Sequence, residues 1–413
     1  MKTILIILDG ASDLPNKHLH NKTPFEAAHT PNLDFLARNG NLGIMYPLGK
    51  KKIPSSANSL ITLLGNDPKK CERGIYETVG SGITLKKGDL ALRTNFATID
   101  DLKSKKLIDR RAGRTLTTHE AKELEKSLNE EIILPCKFEF KSTVQHRGVL
   151  VLKGNHSDKI TPVNSGWAGG TKANLFRFAG PVDNNPLSKK SSILVNDFII
   201  QAHHILKNHP INIERERKGL FPGNIILTRG AGNSLPKIKQ YKNWMAVNSM
   251  PLEVGIAKLS GMKNFPYKIP SQSSIDTYAY LNKLMNLKIK HSIYTIKKHH
   301  KNYAGCYLQI KETDLPGHDN KPHEKVKMIE TLDKKLFSFI KKMSIKNNWK
   351  IIITCDHSTP CELKGHSADP VPVLVYNNKE PDHADRFTEL EARIGSLKAF
   401  SGKSFANKVG LDK

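Results

Sequence analysis

The sequence predicts an α/β protein with a second α/β unit inserted into it, and three observations carry the prediction. Short apolar runs alternate with helical patterns along most of the 413 residues. The two ends hold the longest β-branched runs, whereas residues 72–236 have shorter strands and a higher density of arginine. The length is also ample for more than one core. The break points, near residues 68–75 and 230–238, divide the chain into a parent unit (1–71 with 237–413) and an insertion (72–236).

Taken in order, the strand Thr3–Leu8 contains a five-residue apolar block, Ile4 to Leu8, that runs straight into Asp9. It is too short for a secretory signal and reads as a buried first strand. Further strands are expected at Val149–Lys153, Asn224–Thr228, Tyr307–Ile310, Lys350–Thr354 and Val371–Tyr376. Thr117-Thr118-His119-Glu120 is a capping-box start for a helix to Leu128. A helix over about Ser191–Leu206 carries Ile193, Leu194, Phe198, Ile199 and Ile205, and Ser165–Leu187 before it reads as a long loop. The clearest helix is Glu324–Met343, where Val326, Ile329, Leu332, Leu336, Ile340 and Met343 step by three and four. Lys288–Lys301 reads as an exposed loop and strand rim rich in lysine and histidine.

Composition excludes several classes. No apolar run reaches the roughly 18 residues of a spanning helix. Five scattered cysteines without a C-x-x-C pair argue against a disulfide scaffold or zinc knuckle and for a reducing cytoplasm. The balance of 65 Lys+Arg against 39 Asp+Glu, a formal charge of +26, suits an anionic partner. The lysines are dispersed, so most of the excess is expected to be solvated surface, with no membrane and no specific nucleic-acid partner.

Chemistry gathers where strands end. Asp9-Gly10 follows the first strand; Glu312, Asp314 and His318 follow Tyr307–Ile310; Asp356-His357 follows Lys350–Thr354, and His366 precedes Val371. Ligands in open α/β sheets sit outside the carboxyl ends of strands. Three Asp and three His delivered there suit Mn²⁺, Zn²⁺ or Mg²⁺ in two-metal phosphoryl transfer. A nucleophile is offered by Pro54-Ser55-Ser56-Ala57, at the start of a short helix closed by Gly65, where backbone N–H groups favour an anion. A serine there can equally be a helix cap.

These motifs, with Lys22-Thr23-Pro24-Phe25-Glu26-Ala27-Ala28, Asp109-Arg110-Arg111-Ala112-Gly113-Arg114, Arg229-Gly230-Ala231-Gly232 and Thr313-Asp314, resemble the archaeal-type cofactor-independent phosphoglycerate mutases of the alkaline phosphatase superfamily. The resemblance spans most of the chain and implies an alkaline-phosphatase-like metal core with an inserted α/β substrate domain. It implies one metal held by Asp314, His318 and His366, and another by Asp9, Asp356, His357 and the nucleophile, which falls on Ser56. Two divalent cations are implied, Mn²⁺ first, with Mg²⁺, Co²⁺ or Zn²⁺ as alternatives, and no 2,3-bisphosphoglycerate. The implied reaction interconverts 3- and 2-phosphoglycerate through a phosphoserine. Arg93, Arg110, Arg111, Arg114, Arg147 and Arg229 are candidates to clamp this small phosphorylated acid, since guanidinium suits carboxylate and phosphate. His146 is a candidate phosphate donor or acid/base, and Lys258 a lysine near the metals. Ala57 departs from the family, which carries Asp there. Two alternatives stand beside this reading: a metal-dependent phosphatase or phosphomutase on another metabolite, and a nucleic-acid-binding protein with a vestigial metal fold.

Overall fold

A computed structural model describes residues 2–163, 175–270, 276–377 and 380–411. Its strands are β1 (Thr3–Leu8), β2 (Gly40–Tyr46), β3 (Leu90–Ile99), β4 (Leu107–Asp109), β5 (Phe138–Ser142), β6 (Arg147–Leu152), β7 (Ile225–Gly232), β8 (Trp244–Ala246), β9 (Lys263–Asn264), β10 (Gly305–Ile310), β11 (Lys350–Thr354), β12 (Val371–Tyr376) and β13 (Lys398–Ser401). They form two sheets. The larger has eight strands in the order β13-β2-β12-β11-β1-β10-β8-β9. The smaller contains β4-β3-β6-β5, with β7 on β3. The fold is therefore mixed α/β with two sheets. The first sheet takes its strands from the two ends of the chain and the second from the middle.

The centre of the larger sheet decides where the chemistry goes. β1 is parallel to both β10 and β11, with Leu8 beside Ile310 and Ile7 beside Thr354. All three strands therefore deliver their C-terminal residues to one edge. β12 runs antiparallel to β11, so the residues that precede it arrive at the same edge. Ile4–Leu8 and Ile351–Ile353 are buried on both faces, which is why they read as unbroken apolar runs.

Local rules explain the helices. Thr117 and Glu120 form the expected capping box of the Thr118–Glu131 helix. The Pro322–Leu332 helix continues through a π-turn at Asp333–Phe337 into Ser338–Asn347; Ile329, Leu332, Leu336 and Ile340 of the expected stripe are buried, and Val326 and Met343 are partly so. The Ser191–Leu206 expectation is extended to Pro186–Asn208, and Ile193, expected in its apolar set, is 56% exposed. Most of the loop expected at Ser165–Leu187 precedes that helix, with residues 165–174 outside the described residues. One expectation is overturned: Lys288–Lys301 is no loop and strand, because Thr277–His299 is a helix, and Lys288 is buried on its inner side. Its mixed Lys/His spelling hid a period set by Met285, Ile289, Ser292 and Ile296.

The helix Arg73–Gly80 joins the two sheets. Tyr76 lies in the core of the larger sheet, while Ile75 packs with Ala91, Val149 and Val151 of the smaller. It lies directly on the Pro251–Leu259 helix. A Cβ on Gly255 would overlap the Tyr76 carbonyl, and one on Gly80 would overlap that of Pro251.

Candidate active site

The edge formed by β1, β10 and β11 carries Asp9, Asp314, His318, Asp356, His357 and His366 within one cluster. Gly10 allows the first loop to turn there: its φ of +57° is left-handed, and a Cβ would run into the Asp314 carboxylate and the Thr359 hydroxyl. Its N–H donates to Asp356 Oδ1 at 3.2 Å. Asp314, His318 and His366 bring one ligand atom each within metal-binding reach, and Asp9, Asp314 and His357 form a second such group. Asp314 is thus shared by both groups, whereas the sequence assigned it to one. Asp356 remains at the second group, with its Oδ2 3.4 Å from His357 Nε2.

The donor set fits divalent cations. His366 Nδ1 lies 2.8 Å from the Pro54 carbonyl and His318 Nδ1 lies 3.2 Å from that of Lys364. A carbonyl only accepts, so both rings donate through Nδ1 and turn Nε2 toward the cluster. The Thr359 hydroxyl donates to Asp314 Oδ1 at 2.8 Å and lies 3.0 Å from His357 Nδ1, so it accepts from that ring. All three Nε2 atoms are left facing the carboxylates. In addition, Asp9 Oδ1 and Asp356 Oδ2 are buried and make no hydrogen bond among the described residues, each lying 3.4 Å from His357 Nε2. Buried anionic oxygens of this kind call for a cation.

Electrostatics reflect the crowding. Burial works against the Asp9 carboxylate, but Lys311 and His357 beside it hold it down at about 2. Burial and then the Asp9 charge push Asp356 up to about 7. Burial opposes protonation of His357, yet Asp356 and Asp9 raise it to about 9. Burial and the neighbouring His357 lower His366 to about 4.

Ser56 lies against this cluster. The cap of the Ser56–Leu63 helix is Ser55, whose side chain accepts from the Asn58 N–H. Ser56 is left at the first helical position with its Oγ 3.2 Å from His357 Nε2. Capping thus falls to the neighbour, and the Ser56 hydroxyl faces a cavity of about 250 Å³ between the two sheets.

That cavity is lined from one side by Ser56, Asp314, His318 and His366, and from the other by Arg93, Arg110, Arg111, Arg114, His146, Arg147 and Arg229. All six sequence-selected arginines reach it. Burial and the nearby Arg114 and Arg147 lower Arg111 to about 10, and burial with Arg73 lowers Arg229 to about 9. Burial, reinforced by Arg147, Arg111 and Arg114, holds His146 well below the usual histidine range, so its ring is neutral. Cations crowded this closely, in a pocket with few carboxylates, suit an anion.

Lys258 does not belong to the site. It is exposed, and its ammonium donates to the Val79 carbonyl at 3.3 Å. The lysine beside the acidic cluster is Lys311, which bridges Asp9 Oδ2 and, at 3.0 Å, Glu253 Oε1. Lys258 failed because the Pro251–Leu259 helix turns its other face, with Glu253 and Ile256, inward. Lys311 immediately follows β10, as Asp9 follows β1, and that position was the available signal. Sequence reading also missed Lys325, fully buried, which bonds Asp13 Oδ2 at 2.8 Å and the Thr359 carbonyl at 2.9 Å and so ties two site loops together. Arg73, Glu77 and Glu253 in the cavity wall were missed as well.

Comparisons with known proteins identify the family. The family model for 2,3-bisphosphoglycerate-independent phosphoglycerate mutase matches residues 37–212. A protein of that name from Pyrococcus abyssi is 38% identical over 411 residues, covering 97% of this chain and 95% of the relative. Another from Methanopyrus kandleri is 33% identical, covering 98% and 95%. Among solved structures, a Pyrococcus horikoshii protein aligns with a TM-score of 0.75 at 28% identity, over 99% of this chain and 97% of its own. The cofactor-independent phosphoglycerate mutase of Thermoplasma acidophilum aligns at 0.61 and 29%, over 100% and 99%.

Proposed function

Because the chain belongs to the archaeal-type 2,3-bisphosphoglycerate-independent phosphoglycerate mutases, we propose that it interconverts 3- and 2-phosphoglycerate through a phosphoserine on Ser56. The observation that carries this reading is the single cavity that joins Ser56 and the Asp/His cluster to the arginine wall. Residues 1–71 with 237–413 form the metal-bearing unit and 72–236 the substrate-holding one.

Asp314, His318 and His366 would hold one divalent cation, and Asp9, Asp356, His357 and Ser56 would hold a second, with Asp314 near both. When bound, such cations, manganese first among them, lower the pKa of a nearby hydroxyl and neutralise charge on phosphoryl oxygens. Ser56 Oγ gives up its proton and attacks the phosphorus, the bond from phosphorus to O3 breaks, and O3 takes up a proton. The arginines hold the glycerate while it turns within the cavity. Its O2 then loses a proton and attacks the phosphoserine, the bond from phosphorus to Ser56 Oγ breaks, and Oγ regains its proton. His146, in the same cavity wall, is the candidate to exchange these hydroxyl protons.

The test is an enolase-coupled assay with 3-phosphoglycerate and Mn²⁺ in the absence of bisphosphoglycerate. Turnover that is lost in Ser56→Ala and His318→Ala supports the reading. Release of free phosphate without mutase turnover overturns it in favour of a phosphatase.

A further inference from the structure

Asp9 opens the loop that follows β1, and Asp356-His357 lies in the loop that follows β11. The two loops are fastened to each other by a buried charge outside the cavity wall. Lys325, on the Pro322–Leu332 helix, has a wholly buried side chain. Its ammonium donates to Asp13 Oδ2 at 2.8 Å, to the Thr359 carbonyl at 2.9 Å and to the Ser12 carbonyl at 3.4 Å. All three of its N–H groups are therefore used. Asp13 in turn accepts from the Cys361 N–H at 3.1 Å, and the Ser12 carbonyl accepts from the Thr359 N–H at 3.0 Å. Glu389 also braces the first loop, accepting from the Ser12 hydroxyl at 3.1 Å, the Asp13 N–H at 3.2 Å and the Thr23 hydroxyl at 2.7 Å.

We propose that Lys325, held by Asp13, is a positioning residue for the reaction. It fixes the Thr359 backbone against the Ser12 loop and so sets how Asp9, Asp314 and His357 stand to one another; this rests on the metal and mutase reading above. The energetics point away from a purely stabilising role. A buried ion pair gives up the hydration of both charges, and a well-packed apolar pair often serves a fold as well. What an apolar pair cannot supply is three directed bonds that join two loops. Thr359 receives that order: its carbonyl is on Lys325, its N–H on Ser12, and its hydroxyl lies between His357 Nδ1 and Asp314 Oδ1. His357 Nε2 is 3.2 Å from Ser56 Oγ, so the same chain of contacts reaches the nucleophile.

The experiment separates position from stability. Lys325→Met alone leaves the buried Asp13 carboxylate unpaired and is expected to destabilise the fold. Asp13→Asn combined with Lys325→Met leaves no charge unpaired, so denaturant unfolding of the metal-free protein should show most of that stability restored. Mn²⁺ affinity of the double variant, titrated on metal-free protein, should nevertheless stay about 10- to 100-fold weaker than in the wild type. In the enolase-coupled assay at saturating Mn²⁺, kcat should fall while KM for 3-phosphoglycerate changes little, because the arginines are untouched. A double variant with wild-type Mn²⁺ affinity and kcat overturns the proposal and leaves the pair a purely structural one. If the double variant does not fold, Asp13→Asn alone carries the test. It leaves Lys325 its two carbonyl acceptors, so a loss of about 2- to 10-fold in affinity is expected, and an unchanged affinity overturns the proposal. Wild-type protein that takes up no Mn²⁺ overturns the metal reading and the proposal together. Wild-type protein that binds Mn²⁺ without mutase turnover overturns the mutase reading, and the affinities still decide the role of Lys325.

Discussion

Thr359 shows how much one side chain organises here. Its hydroxyl accepts from His357 Nδ1 and donates to Asp314 Oδ1, linking the two Asp/His groups. Thr359→Val keeps the shape but removes both bonds, so Mn²⁺ affinity should fall about 10- to 100-fold, read by titration of the metal-free protein. An unchanged affinity would show that the rings orient without it. His146 gives a prediction in pH. Its folded-state pKa lies well below the unfolded value near 6.5, so between the two the unfolded chain binds more protons. The stability tied to its neutral ring is therefore fully present above about pH 6.5 and is lost as pH falls through the folded value. Denaturant unfolding at pH 8, 6.5 and 5 should show His146→Gln losing less stability on acidification than the wild type. Parallel losses would contradict the assignment. At this scale the sequence was most informative about the carboxylates gathered at strand ends, since Asp9, Asp314 and Asp356 each lie just beyond a recognisable apolar run. It was least informative about Lys311 and Lys325, because a lysine's spelling does not say whether its ammonium meets water or a buried carboxylate.

Among the elements, the Arg73–Gly80 helix matters most, because it packs against both sheets and carries Arg73 and Glu77 into the cavity. Its seam with the Pro251–Leu259 helix is set by backbone contact. Gly255→Ala must push a methyl group into the Tyr76 carbonyl, and the expected cost is about 1–3 kcal/mol or more, measured by denaturant unfolding. Because Lys311 bonds Glu253 on that same helix, the substitution should also lower turnover. Full stability in Gly255→Ala would mean that the two helices can move apart freely. Helix legibility followed the same physics. The Pro322–Asn347 stretch was readable from its three-and-four spacing, and Thr118–Glu131 from its cap. Thr277–His299 was misread, since its inner face includes Lys288, Ser292 and Thr295 among the apolar residues.

Over the whole molecule, the excess of 65 basic residues over 39 acidic ones divides into two populations. Arginines and Lys311 converge on one cavity, whereas residues such as Lys258 lie at the surface. No helix among the described residues is long and apolar enough to cross a membrane. If the Asp/His cluster holds cations in the native state only, adding Mn²⁺ to chelator-treated protein should raise Tm, with about 2.7 kcal/mol gained when free metal is about 100 times Kd. A Tm indifferent to Mn²⁺ would remove the metal centre from this reading. The sequence by itself determined the class of fold, the strands of the larger sheet that end at the Asp/His cluster, the nucleophile candidate and the family, because these depend on local periodicity and on residues adjacent in the chain. Only the tertiary structure decided that Ser55 takes the cap and frees Ser56, that Asp314 is shared, that Lys311 replaces Lys258, and that Arg73 and Glu77 belong to the cavity wall. Each of these depends on which side chains face one another across elements distant in sequence, and no local pattern encodes that.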